Sequence, residues 1–123
     1  MHAAIFGNPN PAQDVIDQYR VDLHVSAATP PTFIWHTADD QVVPAHNALL
    51  FAGALEANQV PFELHIFDTG VHGLALADET TEVDGQFVNQ QSQIWIELAL
   101  NWLDRQRQIH PLTAQINPQE NAK

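Results

Sequence analysis

Only two stretches of this 123-residue chain read as β-strands, and that shortage limits every fold it can adopt. The first, Thr32 to Trp35, follows the firm break at Pro30-Pro31. It carries Phe33 and Trp35 on one face and Ile34 with Thr32 on the other, the pattern of a strand covered on both sides. The second is "FELHIF", Phe62 to Phe67. Phe62, Leu64 and Ile66 share one face, while Glu63 and His65 share a wetter one, which suits a place near a sheet edge. Between them Pro44 can open a helix. Ala45, Ala48, Leu49, Ala52 and Leu55 then recur at spacings of three and four, to about Asn58. A second strong helix is expected from Ile94 to about Arg107, with Ile94, Leu98 and Trp102 stacked at spacing four and Trp95 and Leu103 close by.

The order strand, helix, strand, helix predicts an α/β fold with parallel strands joined by a right-handed crossover. A strand covered on both faces is an interior strand and needs two neighbours, yet only one is available. The sheet is therefore expected to be incomplete, to be finished by another chain or by a preceding portion of a longer protein. One domain is expected over residues 1–110, with a loose polar tail over 111–123. Shorter features are a helix from Pro11, capped by Asn10, to about Tyr19, a glycine-punctuated loop "DTGVHGLALADE" with a helical turn after Gly73, and a polar surface stretch "TTEVDGQFVNQQ".

Charge and composition exclude several functions. Fifteen acids against four Lys plus Arg give a net charge of −11. That opposes nucleic acid, anionic membranes and strongly anionic substrates, and leaves neutral substrates open. There is no cysteine, so thiolate catalysis and thiolate zinc sites are ruled out. No apolar run approaches the roughly 20 residues a membrane span needs. The stretch "MHAAIFGNPNPAQD" lacks a basic region followed by an apolar one, so no signal peptide is read there. A cytoplasmic location is the expectation unless the natural start lies upstream. The seven histidines show no i, i+4 helical pair of the zinc type, so no metal is expected. His36 and His65, in or beside strands, read as structural, and His46 as exposed on the first helical turn. Trp35, Trp95 and Trp102 read as core.

In parallel α/β sheets, functional groups collect in the loops at the carboxyl ends of strands. Here those loops carry Asp39 and Asp40 after the first strand and His72 after the second. Adjacent strands make the loops neighbours. A carboxylate could then accept from the imidazole Nδ1–H, fixing the tautomer and supporting the imidazolium formed when Nε2 takes a proton. Each residue also has a plainer reading. Asp40 could cap the helix opened near Pro44, and a histidine between loop glycines could be an ordinary surface side chain. Adjacent acids cannot serve as a glycosidase pair, which must flank a sugar across roughly 5 Å or more.

"PPTFIWHTADDQVVPAHNALLFAGALEANQVPFELHIFDTGVHGLALA" resembles the C-terminal third of an α/β-hydrolase. It is similar to the bacterial esterase/lipase branch that includes acetylxylan-esterase-like proteins. The shared signature is a strand, a turn with Asp-x-x-Val-Pro, a helix, a strand, and a Gly-x-His-Gly loop. Asp40-Gln41-Val42-Val43-Pro44 and Gly70-Val71-His72-Gly73 match it, and the likeness runs from about Asn8 to Leu103. The resemblance implies a serine carboxylic ester hydrolase without cofactor, acting on small-molecule or polysaccharide esters such as acetyl groups on xylan. Asp40 would be the acid and His72 the base of its Ser-His-Asp triad. Asp39, one place too early for the motif, reads as a turn or support residue.

The family's Gly-x-Ser-x-Gly nucleophile elbow and glycine-rich oxyanion loop are absent. The two serines, Ser26 and Ser92, have no flanking glycines. The expectation is therefore the later part of a longer hydrolase, inactive by itself. Two alternatives stay open. One is a non-catalytic fragment or interaction module; the other is the end of a prolyl-oligopeptidase-type serine peptidase, which shares a similar Asp–His ending.

Overall fold

The structure, a computed structural model, describes residues 7–109. The expected tail over 111–123 lies outside the described residues. Among the described residues, three α-helices and two strands follow one another as α1 (Gln13–Gln18), β1 (Thr32–Thr37), α2 (His46–Ala57), β2 (Phe62–Phe67) and α3 (Trp95–Ile109). Short 3-10 turns lie at Val21–His24 and Ser92–Ile94.

The strands pair in parallel, in register from Thr32 opposite Phe62 to Thr37 opposite Phe67. Among the described residues the sheet has these two strands alone, so each has one free edge. β1 runs two residues past the apolar run that announced it. His36 and Thr37 stay in the strand because tertiary partners receive them, a signal that hydrophobic patterning does not carry. Thr37 is buried, and its hydroxyl donates to the Gly70 carbonyl at 2.7 Å.

Alternation along β1 and β2 assigns a helix to each face of the sheet. On one face, Phe33 lies 6.0 Å from Trp102 and 5.5 Å from the His65 ring, and Trp35 stacks on Trp95 at 5.0 Å. This packing corrects the expected line on α3. The residues with ring contacts to the sheet are Trp95 and Trp102, and Leu98 between them is half-buried, whereas Ile94 and Leu103 are about half exposed. It also corrects the expected wet face of β2. Glu63 accepts from His65 Nε2 at 2.9 Å and from Arg105 of α3 at 2.5 Å, so the polar pair is satisfied beneath a helix.

The opposite face belongs to α2, whose buried line is Ala48, Ala52 and Leu55; Leu49, expected on it, is 52% exposed. The helix begins at His46, just after Pro44, and has no side-chain cap. It ends in a Schellman motif. The Gln59 N–H donates to the Glu56 carbonyl and the Val60 N–H to the Leu55 carbonyl, with Gln59 at φ 57°. Val60 and Leu55, the residues this motif brings together, are both buried. α1 starts later than expected, because the Asn8 side chain takes the Asn10 N–H in a local turn and Ala12 becomes the cap.

No helical turn forms after Gly73. Instead the loop folds on itself, with Ala75 and Ala77 at positive φ and the Ala77 N–H donating to the Leu74 carbonyl. Trp95 Nε1 donates to the Ala75 carbonyl at 2.8 Å, fastening this loop to α3.

Candidate active site

Both strands end on the same side, and the loops leaving them meet. The meeting is held from two directions at Gly70. Its N–H donates to Asp39 Oδ1 at 2.7 Å, and its carbonyl receives the Thr37 hydroxyl. A side chain is not accommodated there. Gly70 has φ 153°, and a Cβ would lie 2.6 Å from Leu74 Cδ1 and 2.6 Å from Thr37 Cγ2. The Asn89 side chain adds a third tie, donating to the Thr69 carbonyl at 2.8 Å.

This framework brings the sequence-predicted pair together across 32 residues of chain. His72 Nδ1 lies 2.9 Å from Asp40 Oδ2. An ionised carboxylate can only accept, so Nδ1 carries the hydrogen and Nε2 is left as the acceptor of the neutral ring. The other Asp40 oxygen, Oδ1, accepts from the Val42 and Val43 amides at 2.8 Å each. Asp40 therefore caps its own turn and not helix α2, whose first residue lies beyond those amides.

The two partners differ in exposure. The Asp40 side chain is 6% exposed and the His72 side chain 48%. Burial opposes the charge on Asp40, but the hydrogen bonds from the Val43 amide, His72 and the Val42 amide outweigh it. The carboxyl is thus held below its usual range. The imidazole borders an open cavity of about 280 Å³, lined also by Trp35, His36, Thr37, Val71 and Leu74.

The remaining candidates sort themselves by position. Asp39 acts on Gly70 and not on the imidazole, which fits a support residue. His46 is exposed on α2. Ser26 sits in an exposed turn, where its Oγ receives the Ala28 N–H. Ser92 is fully buried beneath the start of α3, and its hydroxyl has no hydrogen-bond partner among the described residues. Neither serine lines the cavity, and the Thr37 hydroxyl there is committed to Gly70. Among the described residues, no three His, Asp or Glu side chains are grouped to hold a metal, and no helix is long and apolar enough to cross a membrane.

One neighbour went unnoticed in the sequence. His36, read there as structural, brings Nε2 to 4.0 Å from Asp40 Oδ2. The available signal was its place four residues before the acid, at the end of a strand whose length was underestimated.

Known proteins share this arrangement of elements. A sugar hydrolase from Lactococcus lactis superposes with a TM-score of 0.75 and is 40% identical, covering 83% of this chain and 40% of its own length. An acetyl ester-xyloside bifunctional hydrolase from Caldicellulosiruptor lactoaceticus superposes with a TM-score of 0.65 at 43% identity. That match covers 78% of this chain and 32% of the hydrolase. An endo-1,4-beta-xylanase B from Butyrivibrio fibrisolvens is 40% identical over 70 residues, which are 57% of this chain and 11% of the xylanase. The chain thus spans less than half the length of each of these relatives. Residues 5–108 match the Prolyl oligopeptidase family. The fold is that of the α/β-hydrolases, and the chain belongs to the prolyl oligopeptidase family.

Proposed function

We propose that this chain supplies the acid and the base of a serine-type carboxylic ester hydrolase, with acetyl or short-acyl esters on xylan-like polysaccharide as the substrate class. The observation that carries this reading is the 2.9 Å contact from His72 Nδ1 to a buried Asp40 carboxylate, with the imidazole half exposed beside a cavity. The acetyl ester-xyloside hydrolase and the xylanase among its relatives support the substrate class. The net charge of −11 favours an uncharged ester over an anionic one.

In this mechanism a serine hydroxyl from outside these 123 residues attacks the acyl carbon while His72 Nε2 takes its proton. Asp40 stabilises the resulting imidazolium through Nδ1–H. The imidazolium then protonates the departing alcohol, leaving an acyl-serine. Water, deprotonated by the same nitrogen, releases the acid and restores the serine. The chain by itself has no cavity-lining serine, so it is expected to be inactive.

A graft tests the proposal. This chain replaces the matching segment of the C. lactoaceticus hydrolase, to which it is 43% identical. The chimera is expected to hydrolyse p-nitrophenyl acetate and to lose that activity with His72→Ala. A folded chimera that is inactive, or whose activity ignores His72, rejects the acid–base role and favours a non-catalytic module. The family's name supports a second reading, peptide hydrolysis. Turnover of a prolyl p-nitroanilide exceeding that of the ester would favour it.

A further inference from the structure

Asp40 presents four acceptor directions to its surroundings. Two on Oδ1 are filled by the Val42 and Val43 amides, and one on Oδ2 is filled by His72. Near Oδ2 lies a second imidazole, His36, with Nε2 at 4.0 Å. His36 is itself held. Its Nδ1 lies 2.9 Å from the Thr37 nitrogen and 2.8 Å from the Thr37 carbonyl oxygen, and its side chain is only 16% exposed.

A nearby carboxylate selects between the states of that ring. A bare Nε2 lone pair facing Oδ2 would be repelled, whereas an Nε2 carrying hydrogen is attracted. The Thr37 N–H at 2.9 Å would donate to a bare Nδ1 and the Thr37 carbonyl at 2.8 Å would accept from a protonated one, so the Thr37 contacts admit either tautomer and the Asp40 carboxylate is what favours hydrogen on Nε2. At 4.0 Å the contact is longer than a hydrogen bond and acts through charge and dipole between two side chains that are only 16% and 6% exposed.

We propose that His36 is a positioning residue for the acid: hydrogen on its Nε2 holds Asp40 Oδ2 toward His72 and shields that oxygen from water. The proposal rests on the acid–base reading of Asp40 and His72, and it gives His36, which lines the same cavity, a part in the reaction. His36 touches no reacting atom. It acts through Asp40 on how firmly the base is oriented.

The test compares His36→Gln with His36→Met, two unbranched side chains of similar length of which only the first has an N–H. Nitrogen-15 NMR on the whole chain reports the hydrogen positions on His36 and His72. The low-field His72 Nδ1 proton is expected in wild type and His36→Gln. In His36→Met its exchange with water is expected to rise about tenfold, the scale on which orienting partners act at other sites. In the grafted hydrolase, kcat is expected to fall by a similar factor in His36→Met with KM unchanged, and to be restored in His36→Gln.

Equal behaviour of the two variants, whether both normal or both impaired, overturns the proposal. So does a wild-type His36 with hydrogen on Nδ1 alone, which decides the matter even if a variant does not fold. Failure of the underlying reading looks different: wild type itself would lack the hydrogen-bonded His72 Nδ1 proton.

Discussion

Asp40→Asn separates the charge of the acid from its shape. The asparagine carbonyl can still accept from the Val42 and Val43 amides, so the turn leading to α2 keeps its cap. What changes is the side facing His72, where an NH₂ group replaces a carboxylate oxygen. His72 Nδ1 must then accept, and the ring's hydrogen moves to Nε2. Hydrogen bonds to charged groups contribute about 1.5–3 kcal/mol. The half-exposed imidazole places this one at the low end, so the folded chain should lose about 1–2 kcal/mol at pH 7.

The pH dependence gives a second, independent check. The Asp40 carboxyl is held below its usual range in the folded state, by its hydrogen bonds and against burial. Its stabilisation is therefore fully present above the unfolded value of about 3.9 and disappears as pH falls through the lower folded value. Urea denaturation of wild type and Asp40→Asn should show a gap at pH 7 that narrows markedly by pH 3. A gap that is absent, or that is the same at both pH values, refutes the argument. In the grafted hydrolase the same substitution should lower kcat by about 10⁴, the effect of imposing the wrong tautomer on a triad histidine.

Other parts of the site make their own predictions. Gly70→Ala meets Leu74 and Thr37 at 2.6 Å with the backbone at positive φ; it should cost about 3 kcal/mol in thermal or urea melts. Asp39→Ala removes the acceptor for the Gly70 N–H, and should cost about 1 kcal/mol while speeding hydrogen exchange at that amide. Asp39→Asn should lose less than half as much. Glu82 gathers the Gln86, Phe87 and Val88 amides on one carboxylate. Glu82→Ala should raise hydrogen exchange at those three amides together, with a stability loss of about 1 kcal/mol because water replaces part of what is removed.

The meeting of Asp40 and His72 was legible before any coordinates because loop positions follow from topology. Two parallel strands joined by a helix must end side by side, and Asp40 and His72 sit just past those ends. The limits of β2 were equally plain, since "FELHIF" is bounded by Pro61 and Asp68 and matches the strand residue for residue. Features that depend on hydrogen bonds between distant residues were not legible. The last two residues of β1 are polar, and nothing local shows that Thr37 will reach Gly70. Periodicity put Leu49 and Ile94 on buried stripes, but spacing of three or four fits a broad arc, and only packing selects its centre. The helical turn expected after Gly73 does not form because Ala75 and Ala77 adopt positive φ, a conformation that alanine composition does not announce.

The double hold on Gly70 has a mechanical consequence. Asp39 grips the residue by its N–H and Thr37 by its carbonyl, and both stand within three residues of Asp40 where β1 ends. Push on either loop and the other is carried along, like two rails bolted to one sleeper. Thermal breathing of the surrounding surface should therefore shift carboxylate and imidazole as a unit, leaving the span between them nearly constant.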